Sequence, residues 1–102
     1  MSETLDLAIL TVEDFSPHVH AQFDVNLPDG LLLSLNLTKV EDLGLEASSH
    51  RRAFSLVFSG PRDPILPQKI YSLHEDTLGS LDIFLVPIGV TLENCLYEAV
   101  FN

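Results

Sequence analysis

The sequence predicts an all-β domain, either a small antiparallel barrel or a sandwich of about six strands, with a short helical turn near the N-terminus. Two observations lead to this fold class. From Ala21 onward, apolar and polar residues alternate with a period of two, which is the side-chain spacing of a half-buried strand. Turn-forming residues interrupt the alternation at intervals of roughly 8–12 residues, and such short connections favour antiparallel neighbours.

The helical turn is predicted in "LTVEDFSPHV". Thr11 suits an N-cap, and Glu13 and Asp14 place carboxylates in the first turn, where the helix dipole favours them. Pro17 limits the helix to one or two turns. We expect Phe15 to close one end of the core.

The next two segments predict a hairpin. "AQFDVNL" and "LLLSLNLTKVE" each place apolar residues on one face, and the turn signal "PDG" at Pro28 to Gly30 lies between them. The polar stretch "DLGLEASSH", Asp42 to His50, is predicted to be a surface loop.

The remaining strands are predicted in "RRAFSLVFSG", "KIYSLHE", "SLDIFLVPIG" and "NCLYEAVFN". In the third of these, Leu81, Ile83 and Leu85 can fill a core, which leaves Phe84 and Val86 on the opposite face. A strand that is apolar on both faces predicts that another surface covers the second one. We therefore interpret Phe84 and Val86 as candidate protein-contact residues.

The loop "GPRDPILPQK" contains three prolines, which remove backbone donors and exclude a central strand. Ile65 and Leu66 lie between the prolines and are predicted to fold over an open end of the barrel. They are also candidate protein-contact residues, because the loop can cover part of the second apolar face. Arg62 and Asp63 are interpreted as turn residues of this stiff connection rather than as a catalytic pair.

Composition restricts the function further. The 102 residues fit one domain, 1–102, and 46% of them are hydrophobic, enough to fill a core. The formal net charge of −10 repels phosphate groups, so we expect neither nucleic acid nor an anionic membrane as a partner. The N-terminus lacks the basic and apolar regions of a signal peptide, which predicts a cytoplasmic protein as synthesised.

Few residues suggest chemistry. His18 and His20 are two apart, and in an extended segment both imidazoles could bind one metal, with Asp24 or Glu13 as a third ligand. No further His-carboxylate motif completes a ligand set, so a pair of polar surface residues is the better interpretation. Cys95 is the only cysteine and lies in an apolar strand, which predicts a buried, inert thiol. The carboxylates Glu75 and Asp76 follow a strand, where solvated charges are usual. We therefore predict no catalytic residue, no metal and no cofactor.

Several segments resemble a small bacterial domain-of-unknown-function family, found near or fused to phage-tail-collar-type proteins. The matching segments are "LTVEDFSPHV", "FSLVFSGPRDPILPQKIYSL", "LGSLDIFLVPIG" and "YEAVFN", which together span most of the chain. Lys69 stands where the family commonly has a glycine after the proline-glutamine pair. The resemblance implies an association with fibre-like or tail-like assemblies and no established activity.

Three functional hypotheses follow. The first is a non-enzymatic module that binds a protein partner or a second copy of itself, as an assembly factor or subunit linked to a tail-fibre-like structure. The second is a barrel that binds a small anion or sugar at an open end near Arg51, Arg62, His18 and His20. The third, and the weakest, is a metal-dependent enzyme at the two histidines.

Overall fold

The computed structural model describes residues 10–48 and 51–101, with the side chains of residues 45–48 and 51–52 outside that description. A one-turn helix, α1 (Val12–Phe15), runs into a 3-10 turn, Ser16–His18. The strands are β1 (Gln22–Asn26), β2 (Leu32–Ser48), β3 (Arg51–Pro61), β4 (Lys69–Glu75), β5 (Gly79–Val90) and β6 (Asn94–Phe101).

The strands close into an antiparallel barrel in the order β1-β2-β3-β6-β5-β4. Closure occurs where β4 returns to β1, with Asp24 opposite His74 and Val25 opposite Leu73. The predicted fold class is confirmed, and the barrel is the form that the chain adopts. Closure gives β1 and β4 a partner on both sides, so neither strand presents an open edge to solvent.

The barrel interior is filled by alternate residues of every strand, as the period of two predicts. Phe23 and Phe58 meet edge to face inside it, with ring centroids 5.3 Å apart. Cys95 lies in this core with a free, buried thiol, as predicted. The fully buried aliphatic side chains include Leu35, Leu37, Leu56, Leu73, Leu81, Ile83 and Leu85.

One end of the barrel, here called the helix end, is closed by α1. The α1 residue Phe15 is fully buried and packs against Phe54 of β3 and Phe101 of β6, with centroids 5.8 and 5.6 Å away. The N-terminus of α1 forms as predicted: the Thr11 N–H donates to Asp14 Oδ2 at 2.7 Å, and the Asp14 N–H donates to the Thr11 carbonyl at 3.0 Å. The buried Phe15 ring contributes about 1.5–3 kcal/mol relative to exposure.

The other end, here called the proline end, holds the β1–β2 turn, the β5–β6 turn and the proline loop, residues 62–68. The β1–β2 hairpin pairs from Gln22 opposite Asn36 to Asn26 opposite Leu32. Gly30 turns the chain there with φ of 90°, a backbone conformation that glycine adopts readily.

The prediction of a loop over Asp42 to His50 is wrong for most of that stretch, because β2 continues to Ser48. The pairing of β2 with β3 is irregular there, with register shifts between Asp42 and Glu46 and between Glu46 and Ser48. Partner strand β3 supplies the hydrogen bonds that hold this polar, small-residue segment extended, so pairing overrides its weak strand propensity. His50 itself lies outside the described residues.

Candidate functional site

Two large apolar side chains lie side by side on the outer surface of the barrel. Ile70 of β4 is directly opposite Phe84 of β5, and the two are 62% and 48% exposed. Their chain neighbours Tyr71 and Leu85 point inward and are buried. The alternation of these strands therefore fills the core with one set of side chains and leaves a second apolar set in solvent.

This surface continues across β5 to β6, and we call Ile70, Phe84, Val86 and Val100 the outer face. Val86 is half-buried and pairs with Glu98, while Val100, two residues further along β6, is 52% exposed.

Carboxylates lie beside the outer face. Asp82 is exposed and precedes Phe84 by two residues on the same side of β5. Glu98 is half-buried and lies opposite Val86. The outer face therefore has an apolar centre and acidic neighbours.

The proline loop is anchored to the barrel by two tyrosines. The buried Leu66 N–H donates to the hydroxyl of Tyr97 at 2.8 Å, and the Tyr71 hydroxyl donates to the Pro67 carbonyl at 2.6 Å. Burial raises the pKa of Tyr97 to about 12, a rise that the Leu66 N–H opposes and neighbouring Cys95 reinforces. Burial also raises the pKa of Tyr71.

The loop closes the proline end and leaves the outer face uncovered. Leu66 is buried in the core, whereas Ile65 is half exposed. Phe84 and Val86 lie on the outer face, whereas Leu66 is buried and Ile65 lines a cleft beside the loop. At the far side of the loop, Arg62 Nη1 donates to the Leu92 carbonyl of the β5–β6 turn at 3.3 Å.

Between the proline loop and the β1–β2 turn lies an open cleft of about 430 Å³, here called the proline cleft. Its lining is mainly apolar and includes two charged residues, Asp29 and Lys69. The apolar residues around it are Leu27, Pro28, Leu31, Pro64, Ile65, Leu66, Pro67 and Tyr71. Sequence reasoning missed this cleft, because the β1–β2 turn and the proline loop are about thirty residues apart along the chain.

The two predicted metal-ligand histidines are not in an extended segment. His18 ends the 3-10 turn and His20 has a φ of 76°, so the rule that residues two apart share a side does not apply to them. His18 Nδ1 instead lies 3.5 Å from Glu75 Oε2. In the part of the chain that the structure describes, no group of three metal-ligating side chains occurs.

The expectation that Glu75 is solvated is wrong. Its carboxylate is buried, and Oε1 accepts hydrogen bonds from the N–H groups of Thr77 and Leu78 at 2.9 and 2.7 Å. Glu75 thus closes the β4–β5 turn and holds the segment after α1 through His18. Sequence reasoning missed this role because it depends on two segments more than fifty residues apart.

Of the residues predicted to bind a small anion or sugar, the described ones, His18, His20 and Arg62, do not converge. His18 and His20 lie at the helix end, and Arg62 lies at the proline end, at the opposite ends of the strands. The Arg51 side chain lies outside the described residues. Along residues 10–48 and 51–101, no helix combines the length and apolar character needed to cross a membrane.

The fold and these surfaces define a small closed antiparallel β-barrel with an uncovered apolar outer face and a cleft beside a proline-rich loop. The model of the domain of unknown function DUF6916 matches residues 10–101, and the chain belongs to this family. No curated protein and no solved structure matches the chain significantly.

Proposed function

We propose that the protein is a non-enzymatic binding module that attaches to a protein partner through its outer face. The observation that carries the proposal is the exposed pair Ile70 and Phe84, which lie opposite each other on neighbouring strands. The proposal assigns no catalytic step and no cofactor to the chain.

Ile70 and Phe84 are not needed to fill the core, because alternate residues of the same strands already fill it. Full burial of such a side chain contributes about 1.5–3 kcal/mol, so covering the exposed half of Phe84 contributes about 1 kcal/mol. Adjacent apolar side chains on a strand surface also supply the well-packed centre that protein interfaces require.

Charge favours a partner different from this chain. The formal net charge of −10 makes two copies repel each other, and a symmetric contact through the outer face would bring the acidic neighbours of both copies, Asp82 and Glu98, close together. A partner with an apolar centre and a rim of Lys and Arg would bury the pair and neutralise these carboxylates. We therefore propose a partner with a basic contact surface over self-association.

The assembly context proposed for this module is a tail-fibre-like structure, in which the chain acts as an assembly factor or subunit. Support for it is the sequence resemblance alone. The alternative of a small-anion or sugar site at Arg51, Arg62, His18 and His20 is not favoured, because the described histidines and Arg62 are at opposite ends of the barrel. A metal-dependent reaction at His18 and His20 is not favoured either, because the two histidines do not lie in an extended segment.

The test combines Phe84→Asp with a control that adds the same charge on the far side of the barrel. Asn36→Asp suits this purpose, since Asn36 is exposed on β2, which is three strands away from β5 in the barrel order. Proteins encoded beside this chain, collar-type fibre proteins first, are purified and titrated against the parent and both variants by calorimetry. Light scattering at matched concentration measures the size of each variant alone.

We expect binding that Phe84→Asp weakens at least tenfold and Asn36→Asp leaves within twofold, because only the first change buries a charge in the contact. Equal binding by the parent and Phe84→Asp would contradict the outer face as the site. A parent dimer that Phe84→Asp converts to a folded monomer would assign the face to a second copy instead.

A further inference from the structure

We infer that the proline cleft binds a ligand that combines an apolar chain with one carboxylate group. The inference does not rest on the outer face or on the proposed partner. It rests on the shape of the cleft, the rigidity of its walls and a cation at its edge, Lys69, that makes no ion pair with the described residues.

The size and lining of the cleft suit a small apolar ligand. Its volume of about 430 Å³ falls within the roughly 300–1,000 Å³ of ligand sites, and apolar side chains make up most of its wall. Leu31 and Ile65, on opposite walls, are 53% and 48% exposed. An apolar chain inserted between these walls would remove both side chains from water.

The cleft is formed before any ligand arrives. Pro64 and Pro67 restrict the backbone of the loop wall, and the hydrogen bonds of Leu66 to Tyr97 and of Tyr71 to Pro67 attach that wall to the barrel. A preformed site loses little conformational entropy on binding, which favours affinity for a small ligand.

Lys69 supplies the charge that selects a carboxylate. Its Nζ lies 5.7 Å from the centroid of the Tyr71 ring, and within the described chain it makes no ion pair. By contrast, Lys39 pairs with Glu41 at 3.1 Å. Lys69 is thus a cation at the edge of an apolar cleft, held over an aromatic ring and available to a ligand.

Asp29 limits the ligand to a single negative charge. Its Oδ1 accepts the Leu31 N–H at 3.1 Å, so the carboxylate is part of the β1–β2 turn and stays in the cleft wall. This carboxylate and the net charge of −10 disfavour phosphates and other multiply charged anions. A monocarboxylate with an apolar tail fits both the cation and the acidic surroundings.

The experiment titrates the full chain with octanoate and with the neutral octanol while backbone-amide NMR spectra are recorded. A second arm uses acetyl-leucyl-leucine with a free carboxylate and the same dipeptide as its amide. The two arms separate a free fatty acid from the C-terminus of a polypeptide as the source of the carboxylate. The variants are Lys69→Gln, Ile65→Asp and the matched charge control Lys39→Gln, all at exposed positions.

We expect saturable shifts at Leu31, Ile65 and Lys69 with either carboxylate and weaker shifts with its neutral analogue. Lys69→Gln should weaken carboxylate binding about threefold to fivefold, the upper part of the range for an exposed ion pair, and Lys39→Gln should leave it unchanged. Ile65→Asp should weaken binding more than tenfold by placing a charge in the wall.

Three results would overturn the inference: no saturable shift at the cleft residues, octanol binding as tight as octanoate, or an affinity that Lys69→Gln does not change. Phe84→Asp, which tests the outer face, is also titrated with octanoate. Octanoate binding should be the same in this variant as in the parent, so failure of the partner proposal and failure of the cleft inference are observed separately.

Discussion

Removing one oxygen atom tests how the proline loop is held. In Tyr97→Phe the ring stays in the core, but the hydroxyl that accepts the Leu66 N–H at 2.8 Å is lost. Leu66 is buried, so water cannot replace the missing acceptor. An unpaired buried N–H is costly because its desolvation is no longer compensated.

We expect Tyr97→Phe to lower the free energy of unfolding by about 1–3 kcal/mol, the usual cost of leaving a buried donor unsatisfied. Urea unfolding should show this as a midpoint lower by on the order of 1 M, with little change in slope. The control is Tyr71→Phe, which removes a donor to the Pro67 carbonyl at the partly buried edge of the loop. It should cost about 0.5–1.5 kcal/mol, since water reaches that carbonyl more readily.

Amide hydrogen exchange adds a local measurement. The Leu66 amide should exchange faster in Tyr97→Phe than expected from the change in global stability, because the loop opens without unfolding the barrel. If the free energy of unfolding changes by less than about 0.5 kcal/mol and the Leu66 amide stays protected, the Tyr97 hydroxyl does not anchor the loop.

Three further predictions concern turns, close packing and pH. Glu75→Ala should lower the free energy of unfolding by about 1–3 kcal/mol in thermal unfolding, because two turn amides lose their acceptor and His18 loses its partner. Glu75→Gln keeps an acceptor oxygen and should cost less; equal costs would show that the turn hydrogen bonds do not contribute. Gly60→Ala should lower the free energy of unfolding by about 1–3 kcal/mol, since a Cβ there would overlap a core leucine side chain. Gly79 lies in open space at φ of 83°, so Gly79→Ala should cost about 1–2 kcal/mol through its backbone alone. Unchanged amide exchange in Gly60→Ala would contradict the first value. The raised pKa of Tyr97 stabilises the folded state below pH 10.0, the ordinary pKa of tyrosine, and this stabilisation should be lost as the pH rises from 10.0 to about 12. If Tyr97→Phe loses as much stability as the parent over that range, another group is responsible.

Local patterns in the sequence were enough to predict most of the strands and the faces that they bury. The period of two in β1 and in the first part of β2, with Pro28 to Gly30 between them, specified a hairpin whose Phe23 and Leu35 had to point inward. The same pattern predicted a surplus of apolar side chains on β5, and Phe84 is indeed exposed. Local alternation contains this information because side-chain direction along a strand depends only on position in the chain.

Which segments meet could not be read from local patterns and depends on the tertiary structure. Polar residues after Asp42 extend β2 because β3 offers hydrogen bonds, and Glu75 is buried because the β4–β5 turn and His18 surround its carboxylate. Barrel closure in the order β1-β2-β3-β6-β5-β4 placed the two histidines and Arg62 at opposite ends and built the proline cleft from distant segments. These outcomes depend on long-range strand pairing, whose register and order are set by how the whole core packs and not by any local pattern.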